Sequence, residues 1–216
     1  MADALFIKAC GEGDLPEVVH LLSLGTTRRV NVHAQGDAAF RAACTANSLQ
    51  VVQHLLSLKG VRRISPLIAW RHMLHAVRVG GHMGMLQLLL SMEWFQEHNA
   101  LGGGELLLRT ACGAGHVSAV QHLLSMGGAA RVDVHAAGED SFQQACRWGH
   151  LAVVELLLSL DGDRRIDVRA RWDRGFRGAC FGGHEAIVRL LLALPPERGG
   201  YSWDTAEQQE LLLEMA

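Results

Sequence analysis

The sequence predicts an all-α fold, a solenoid of stacked antiparallel helix pairs, and three observations lead to this fold class. A serine or alanine recurs every 34 residues, and a pair of leucines ends the amphipathic segment before it. A glycine or asparagine lies ten residues before each of these positions. A fixed period of this length is typical of repeat proteins, in which each unit packs on its neighbours. The recurring positions are Ser23, Ser57, Ser91, Ser125, Ser159 and Ala193.

The first helix of each unit is predicted to begin with an acidic residue. Negative charge at a helix N-terminus is stabilising by about 0.3–1 kcal/mol. The acids are Asp3, Asp37, Glu105, Glu139 and Asp173, and Arg71 occupies the same position in the third unit. A large apolar residue follows three positions later, at Phe6, Phe40, Leu74, Leu108, Phe142 and Phe176. We therefore expect these side chains to enter the core and Arg71 to oppose its helix dipole.

A turn and a second helix complete the unit. The turn residues are Gly13, Asn47, Gly81, Gly115, Gly149 and Gly183. Glycine and asparagine adopt a positive φ more readily than other residues, so this position is expected to end the first helix. Asp14 and Ser48 follow the turn as expected N-caps of the second helix, and Pro16 falls in its first turn.

Three short motifs of the fourth unit resemble the ankyrin-repeat family. They are Ala111-Cys112, Gly115-His116 and Leu123-Leu124, and residues 131–136 resemble the family's hairpin segment. The resemblance extends from about residue 2 to residue 194, although the family's Thr-Pro-Leu-His motif is absent. It implies an ankyrin-type solenoid with short hairpin-like loops. It also implies protein binding on a concave surface of loop tips and first helices.

We expect one domain over residues 1–216, made of six repeats and a closing helix. The approximate repeats are 2–35, 36–69, 70–103, 104–137, 138–171 and 172–196, and the closing helix covers 204–215. Terminal caps of this kind keep a solenoid soluble.

Composition argues against several functional classes. The formal net charge of −2 makes nucleic-acid binding an unfavoured interpretation, and no apolar run is long enough to span a membrane. All five cysteines share one register and are expected to be buried free thiols, which suits a reducing compartment. The first residues enter the first repeat without a signal peptide. An intracellular protein, cytoplasmic or nuclear and monomeric, is therefore expected.

Histidines and arginines recur in ladders that allow two alternatives to simple protein binding. His82, His116, His150 and His184 follow the turn residue and are expected to hydrogen-bond a neighbouring loop. Successive repeats lie about 8–10 Å apart, so their histidines would not converge on one metal ion. We therefore predict no metal, no cofactor and no catalytic residue, and keep a histidine-based metal or enzymatic module as an alternative.

The second alternative is an anion or nucleic-acid site on an arginine ladder. Its members are Arg28-Arg29, Arg62-Arg63, Arg131 and Arg164-Arg165. The favoured interpretation is structural, with these arginines pairing with Asn31, Asp133 and Asp167 between repeats.

Positions that differ between repeats are the candidates for partner binding, because the architecture does not dictate them. Tryptophan and arginine are the residues most often found in binding hot spots. The candidates are Trp70, Arg71, Arg147, Trp148, Trp172, Asp173 and Phe181, with Arg41, Arg109 and Arg177 as a rim. Trp70 and Trp172 could instead only cover the ends of neighbouring helices. The leading hypothesis is a non-enzymatic scaffold that binds a partner protein on its concave face.

Overall fold

The fold comes from a computed structural model that describes residues 2–24, 30–92, 103–127 and 131–200. Within those ranges the regular structure is entirely helical, which confirms the predicted fold class. The chain forms two compact units, residues 1–97 and 98–216. The organisation of the repeats as a single domain stays a prediction, and the predicted closing helix at 204–215 lies outside the described residues.

Three helix pairs stack in the first unit. They are α1 (Ala2–Glu12) with α2 (Leu15–Ser23), α3 (Ala34–Thr45) with α4 (Leu49–Ser57), and α5 (Pro66–Gly80) with α6 (Met83–Ser91). The first helices pack in chain order, α1 on α3 and α3 on α5. Phe6, Phe40 and Leu55 are fully buried between the layers.

The second unit repeats the arrangement. Its pairs are α7 (Gly103–Gly113) with α8 (Val117–Ser125), α9 (Ala136–Arg147) with α10 (Leu151–Leu158), and α11 (Ala170–Phe181) with α12 (Glu185–Leu192). Helix α9 packs on both α7 and α11. The two loops between pairs of this unit bury alternate aliphatic residues, Val132 and Val134 in the first and Ile166 and Val168 in the second.

The predicted turn residues all adopt the left-handed conformation, with φ between 55° and 77°. Asp14 caps α2 as expected, because its Oδ1 accepts the backbone N–H of Glu17 at 3.0 Å. Ser48 occupies the N-cap position of α4, as predicted, but its side chain makes no capping hydrogen bond.

The first helix of the third repeat begins earlier than the register predicts. Helix α5 begins at Pro66, so Trp70 and Arg71 lie in its second turn instead of at its start. Proline is favoured at the first helical position because it has no N–H to leave unpaired there. Arg71 therefore does not face the helix dipole at the N-terminus. The core position also shifts, because Met73 is fully buried whereas Leu74 is only partly buried.

The five cysteines are free thiols, as predicted; four are buried, and Cys180 is partly exposed. Burial raises the pKa of Cys10 and of Cys44 to about 12, and it raises the pKa of Cys180 as well. Thiolates are the reactive form, so these thiols contribute packing at neutral pH.

Candidate functional site

A groove between α9 and α11 forms a concave site with a volume of about 630 Å³. We call it the α9–α11 groove. Its lining residues are Gln143, Gln144, Arg147, Trp148, Arg171, Trp172, Arg174, Arg177, Gly178, Phe181 and Gly182. The volume falls within the range of about 300–1,000 Å³ that is usual for binding sites.

Helical spacing places these side chains on facing surfaces. On α11, Arg174, Arg177 and Phe181 follow one another at intervals of three and four residues, which aligns them along one face. On α9, Gln144 and Trp148 are four residues apart and form the opposite wall. The groove therefore lies between first helices of successive repeats.

Glycines and a histidine bring the two walls close together. A Cβ atom at Gly178 would lie 3.4 Å from the Cα of Arg147, so the backbones approach closely there. A Cβ at Gly175 would lie 2.7 Å from the ring of Phe142. His184, which follows α11, lies with its Nε2 3.0 Å from the backbone oxygen of Arg147. These contacts hold α9 and α11 close together along the groove.

The indole of Trp148 is held by a chain of polar contacts. Its Nε1–H donates to Gln144 Oε1 at 3.3 Å, and Gln144 Nε2 donates to Asp140 Oδ1 at 3.2 Å. Arg109 Nη1 lies 3.4 Å from the other oxygen of Asp140. The Arg147 guanidinium sits 5.6 Å from the centre of the Trp148 ring, a cation–π distance. Trp148 is thus preorganised although its side chain is 58% exposed.

Trp172 has an unusual backbone conformation. Arg171, Trp172 and Asp173 form a left-handed turn before the right-handed part of α11, and the φ of Trp172 is 61°. The equivalent central positions of α3 and α9 are Gly36 and Gly138. A non-glycine residue in this region costs about 1–2 kcal/mol. Trp172 is also 88% exposed, so burial recovers little of that cost.

The groove carries a strong local positive charge. Arg147, Arg171, Arg174 and Arg177 line it, and no lining residue is acidic. All four are exposed. This concentration is notable in a chain whose formal net charge is −2.

The structure brings five of the predicted site residues together in the groove: Arg147, Trp148, Trp172, Arg177 and Phe181. Arg109 lies beyond the wall and reaches Trp148 through Asp140 and Gln144. Asp173 closes the left-handed turn and does not line the groove. Arg41, Trp70 and Arg71 belong to the first unit, on α3 and α5.

The sequence interpretation missed six lining residues, two of which are the glycines Gly178 and Gly182. Gln143 and Gln144 resemble ordinary polar helix residues, and only the packing reveals that they face the groove. Arg174 could have been found, because it lies three residues before Arg177 and seven before Phe181 on the same helix. Arg171 could not, because its position depends on a left-handed turn that no sequence signal marks.

Of the four turn histidines, His150 and His184 make the expected contact with the preceding repeat. His150 Nε2 lies 3.1 Å from the Gly113 oxygen, and His184 makes the same contact one repeat later. In the loops, His135 links its own repeat to the next, with Nδ1 2.6 Å from Glu139 and Nε2 2.8 Å from the Asp163 oxygen. Among the residues that the structure describes, no group of three or more potential ligands is placed to hold a metal ion.

Three arginines of the ladder make structural contacts, with partners other than the predicted ones. Arg62 donates to the Leu22 oxygen at 2.9 Å and Arg164 to the Leu124 oxygen at 2.8 Å, and each bond satisfies the end of a second helix. Arg131 pairs with Asp163 instead. The side chains of Asn31, Asp133 and Asp167 accept backbone N–H groups two residues ahead. Arg28 and Arg29 lie outside the described residues.

Comparison with known proteins identifies the repeat. A family model for ankyrin repeats, in three copies, matches residues 71–170, just under half of the chain and including most of the second unit's described helices. No curated protein matches the sequence. Within the described ranges, no helix is both long enough and apolar enough to cross a membrane.

Proposed function

We propose, from the premise that the chain belongs to the ankyrin-repeat family, that it is a binding scaffold for a partner protein. Ankyrin repeats are generally protein–protein interaction modules, and proteins built from them are typically non-enzymatic. The finer proposal is that the partner docks in the α9–α11 groove, on the face of first helices that is concave in this family.

The observation that carries the proposal is the clustering of exposed aromatic rings in one groove. Trp148, Trp172 and Phe181 are 58%, 88% and 86% exposed, and all three line it. Buried aromatic and arginine side chains supply most of the binding energy at protein interfaces. Their exposure is unfavourable in water, and a partner that covered them would recover that free energy.

Differences between repeats support the same site. The position of Trp148 is alanine at 46 and 114 and glycine at 80 and 182. The position of Phe181 is glycine at 113 and threonine at 45. The helix pair folds with small residues at these places, so the large side chains are not needed for the architecture.

Preorganisation explains how such a groove would bind. Trp148 is fixed by its hydrogen bond to Gln144 and by the Arg147 guanidinium. Ordering a side chain on binding costs about 0.5–1.5 kcal/mol, and a residue already held in place avoids part of that cost.

The test is capture of partner proteins from the source cell with three purified forms. They are the wild type, a groove variant carrying Trp148→Ala and Trp172→Ala, and a control carrying Val61→Ala and Leu67→Ala. The control residues are exposed apolar side chains outside the groove, at 78% and 66%. We expect the groove variant to lose at least about tenfold in capture, since truncation of a hot spot costs 2 kcal/mol or more. Equal capture by all three forms, with unchanged helical circular dichroism, would show that the groove is not the binding site.

A further inference from the structure

The lining of the α9–α11 groove gathers four arginines and no carboxylate, whereas four other arginines of the chain have a carboxylate partner. Arg109, Arg131, Arg189 and Arg198 each form an ion pair. Among the described residues, no carboxylate lies within ion-pair distance of any of the four groove arginines. Four guanidiniums in one site repel one another, and a ligand that brought negative charge would relieve that repulsion.

The apolar part of the groove restricts the ligand further. Three exposed aromatic rings alternate with the guanidiniums in the groove. An inorganic anion would leave the surface of these rings exposed to water. A ligand that matches the site must carry carboxylates and a large apolar group together. Arginine is suited to such carboxylates because its planar fork can donate two parallel hydrogen bonds to one of them.

Single-stranded nucleic acid also combines negative charge with flat rings, but the geometry favours it less. Binding along a nucleic-acid backbone requires positive charge that follows the strand beyond one site. Outside the groove, Arg131 is neutralised by Asp163, and Arg164 donates to the Leu124 oxygen. One face of the Trp148 ring is occupied by the Arg147 guanidinium, which leaves less of it for base stacking.

We infer that the α9–α11 groove recognises an acidic peptide segment in which carboxylates flank a large apolar or aromatic side chain. The apolar side chain enters between Trp148 and Phe181, and the carboxylates pair with Arg174 and Arg177. This inference rests on the proposed function, because it specifies the chemistry of the partner segment at that site.

The experiment is a selection from a random peptide library displayed on phage. The library is selected on the wild type and depleted on the folded Trp148→Ala/Trp172→Ala variant, so that the remaining peptides depend on the groove. We expect them to be enriched in Asp and Glu next to Phe, Trp or Leu. A selected peptide is then synthesised with a fluorophore, and its affinity is measured by anisotropy at low and high salt.

Two matched double variants test the arginines with the selected peptide. Arg174→Gln with Arg177→Gln removes two charges from the groove, and Arg63→Gln with Arg165→Gln removes two exposed charges elsewhere. We expect the groove pair to weaken binding at least about tenfold and the control pair to weaken it less than about twofold. Affinity of the wild type should fall as salt rises.

The outcomes separate the inference from the proposed function. Groove-dependent peptides that lack acidic enrichment, or that are basic, overturn the inference and leave protein binding in the groove intact. The absence of any groove-dependent peptide counts against both. Groove-dependent binding of a fluorescent oligothymidylate, tighter than that of any selected peptide, would replace the acidic segment with nucleic acid. Acidic peptides that bind equally to the Arg174/Arg177 variant would also overturn the inference.

Discussion

The left-handed conformation of Trp172 predicts that glycine at this position makes the protein more stable than alanine does. Inside a right-handed helix the order is the reverse. Replacement of Trp172 by Ala or by Gly removes the same indole, so the difference between the two variants reports on the backbone alone. Alanine with a φ near 61° bears a cost of about 1–2 kcal/mol, which glycine avoids. Glycine loses about 0.5–1 kcal/mol more conformational entropy on folding. We therefore expect Trp172→Gly to be more stable than Trp172→Ala by about 0.5–1 kcal/mol.

Gln121 supplies the matched control, because it is an exposed residue in the middle of the right-handed helix α8. There, Gln121→Ala should be more stable than Gln121→Gly by about 0.8–1 kcal/mol. The assay is urea unfolding followed by circular dichroism, with all four variants measured at one temperature. If alanine proves as stable as glycine at position 172, the left-handed turn is absent in solution and the reasoning fails.

Three further expectations concern the structural ladders. Arg164→Ala should lower the free energy of unfolding by about 1.5–3 kcal/mol, because it removes a charged hydrogen-bond donor from the end of a helix. In the same urea titration, Arg165→Ala at the exposed neighbouring position should change that free energy by less than about 0.5 kcal/mol. The hydrogen bond that His135 donates to the Glu139 carboxylate raises the pKa of His135, so its imidazole should titrate above 6.5 by NMR and return toward 6.5 in Glu139→Gln. Cys180, the least buried thiol, should react first with a thiol reagent under native conditions.

Each of these three predictions can be contradicted by a specific result. Equal losses at Arg164 and Arg165 would contradict the capping role of the arginine ladder. The raised pKa of His135 means that its contribution to stability is complete below its unfolded pKa. That contribution is lost as the pH rises through the folded value. A histidine midpoint unmoved by Glu139→Gln, or a fast thiol that survives Cys180→Ala, would contradict the corresponding contacts.

The sequence was sufficient for the helix pairs because each of their boundaries has a local cause. Gly115 and the equivalent turn residues adopt a positive φ, which ends the first helix of each pair. The leucine pairs mark the buried face of the second helix. The 34-residue period therefore predicts a helix, a turn and a second helix in every repeat. The same rule failed at α5. There the expected start at residue 70 was taken from the register, while Pro66 supplied a stronger local signal four residues earlier.

The groove could be predicted only in part. Trp148, Trp172 and Phe181 stand out because several of the other repeats have alanine, glycine or threonine in their places. Their convergence depends on the close approach of α9 and α11 at Gly178 and on the left-handed turn at Trp172, and both are tertiary features. The partners of Arg62 and Arg164 were missed for a related reason. A backbone oxygen 40 residues away carries no sequence signature.

Site-specific photocrosslinking tests the central claim most directly. A benzoylphenylalanine at Phe181 places a reactive aromatic group in the groove, and one at Glu155 places it on the exposed face of α10, outside the groove. After irradiation in the source cell, we expect the Phe181 form to yield adducts with another protein and the Glu155 form to yield none. Adducts from Glu155 together with none from Phe181 would contradict the assignment of the α9–α11 groove as the binding surface.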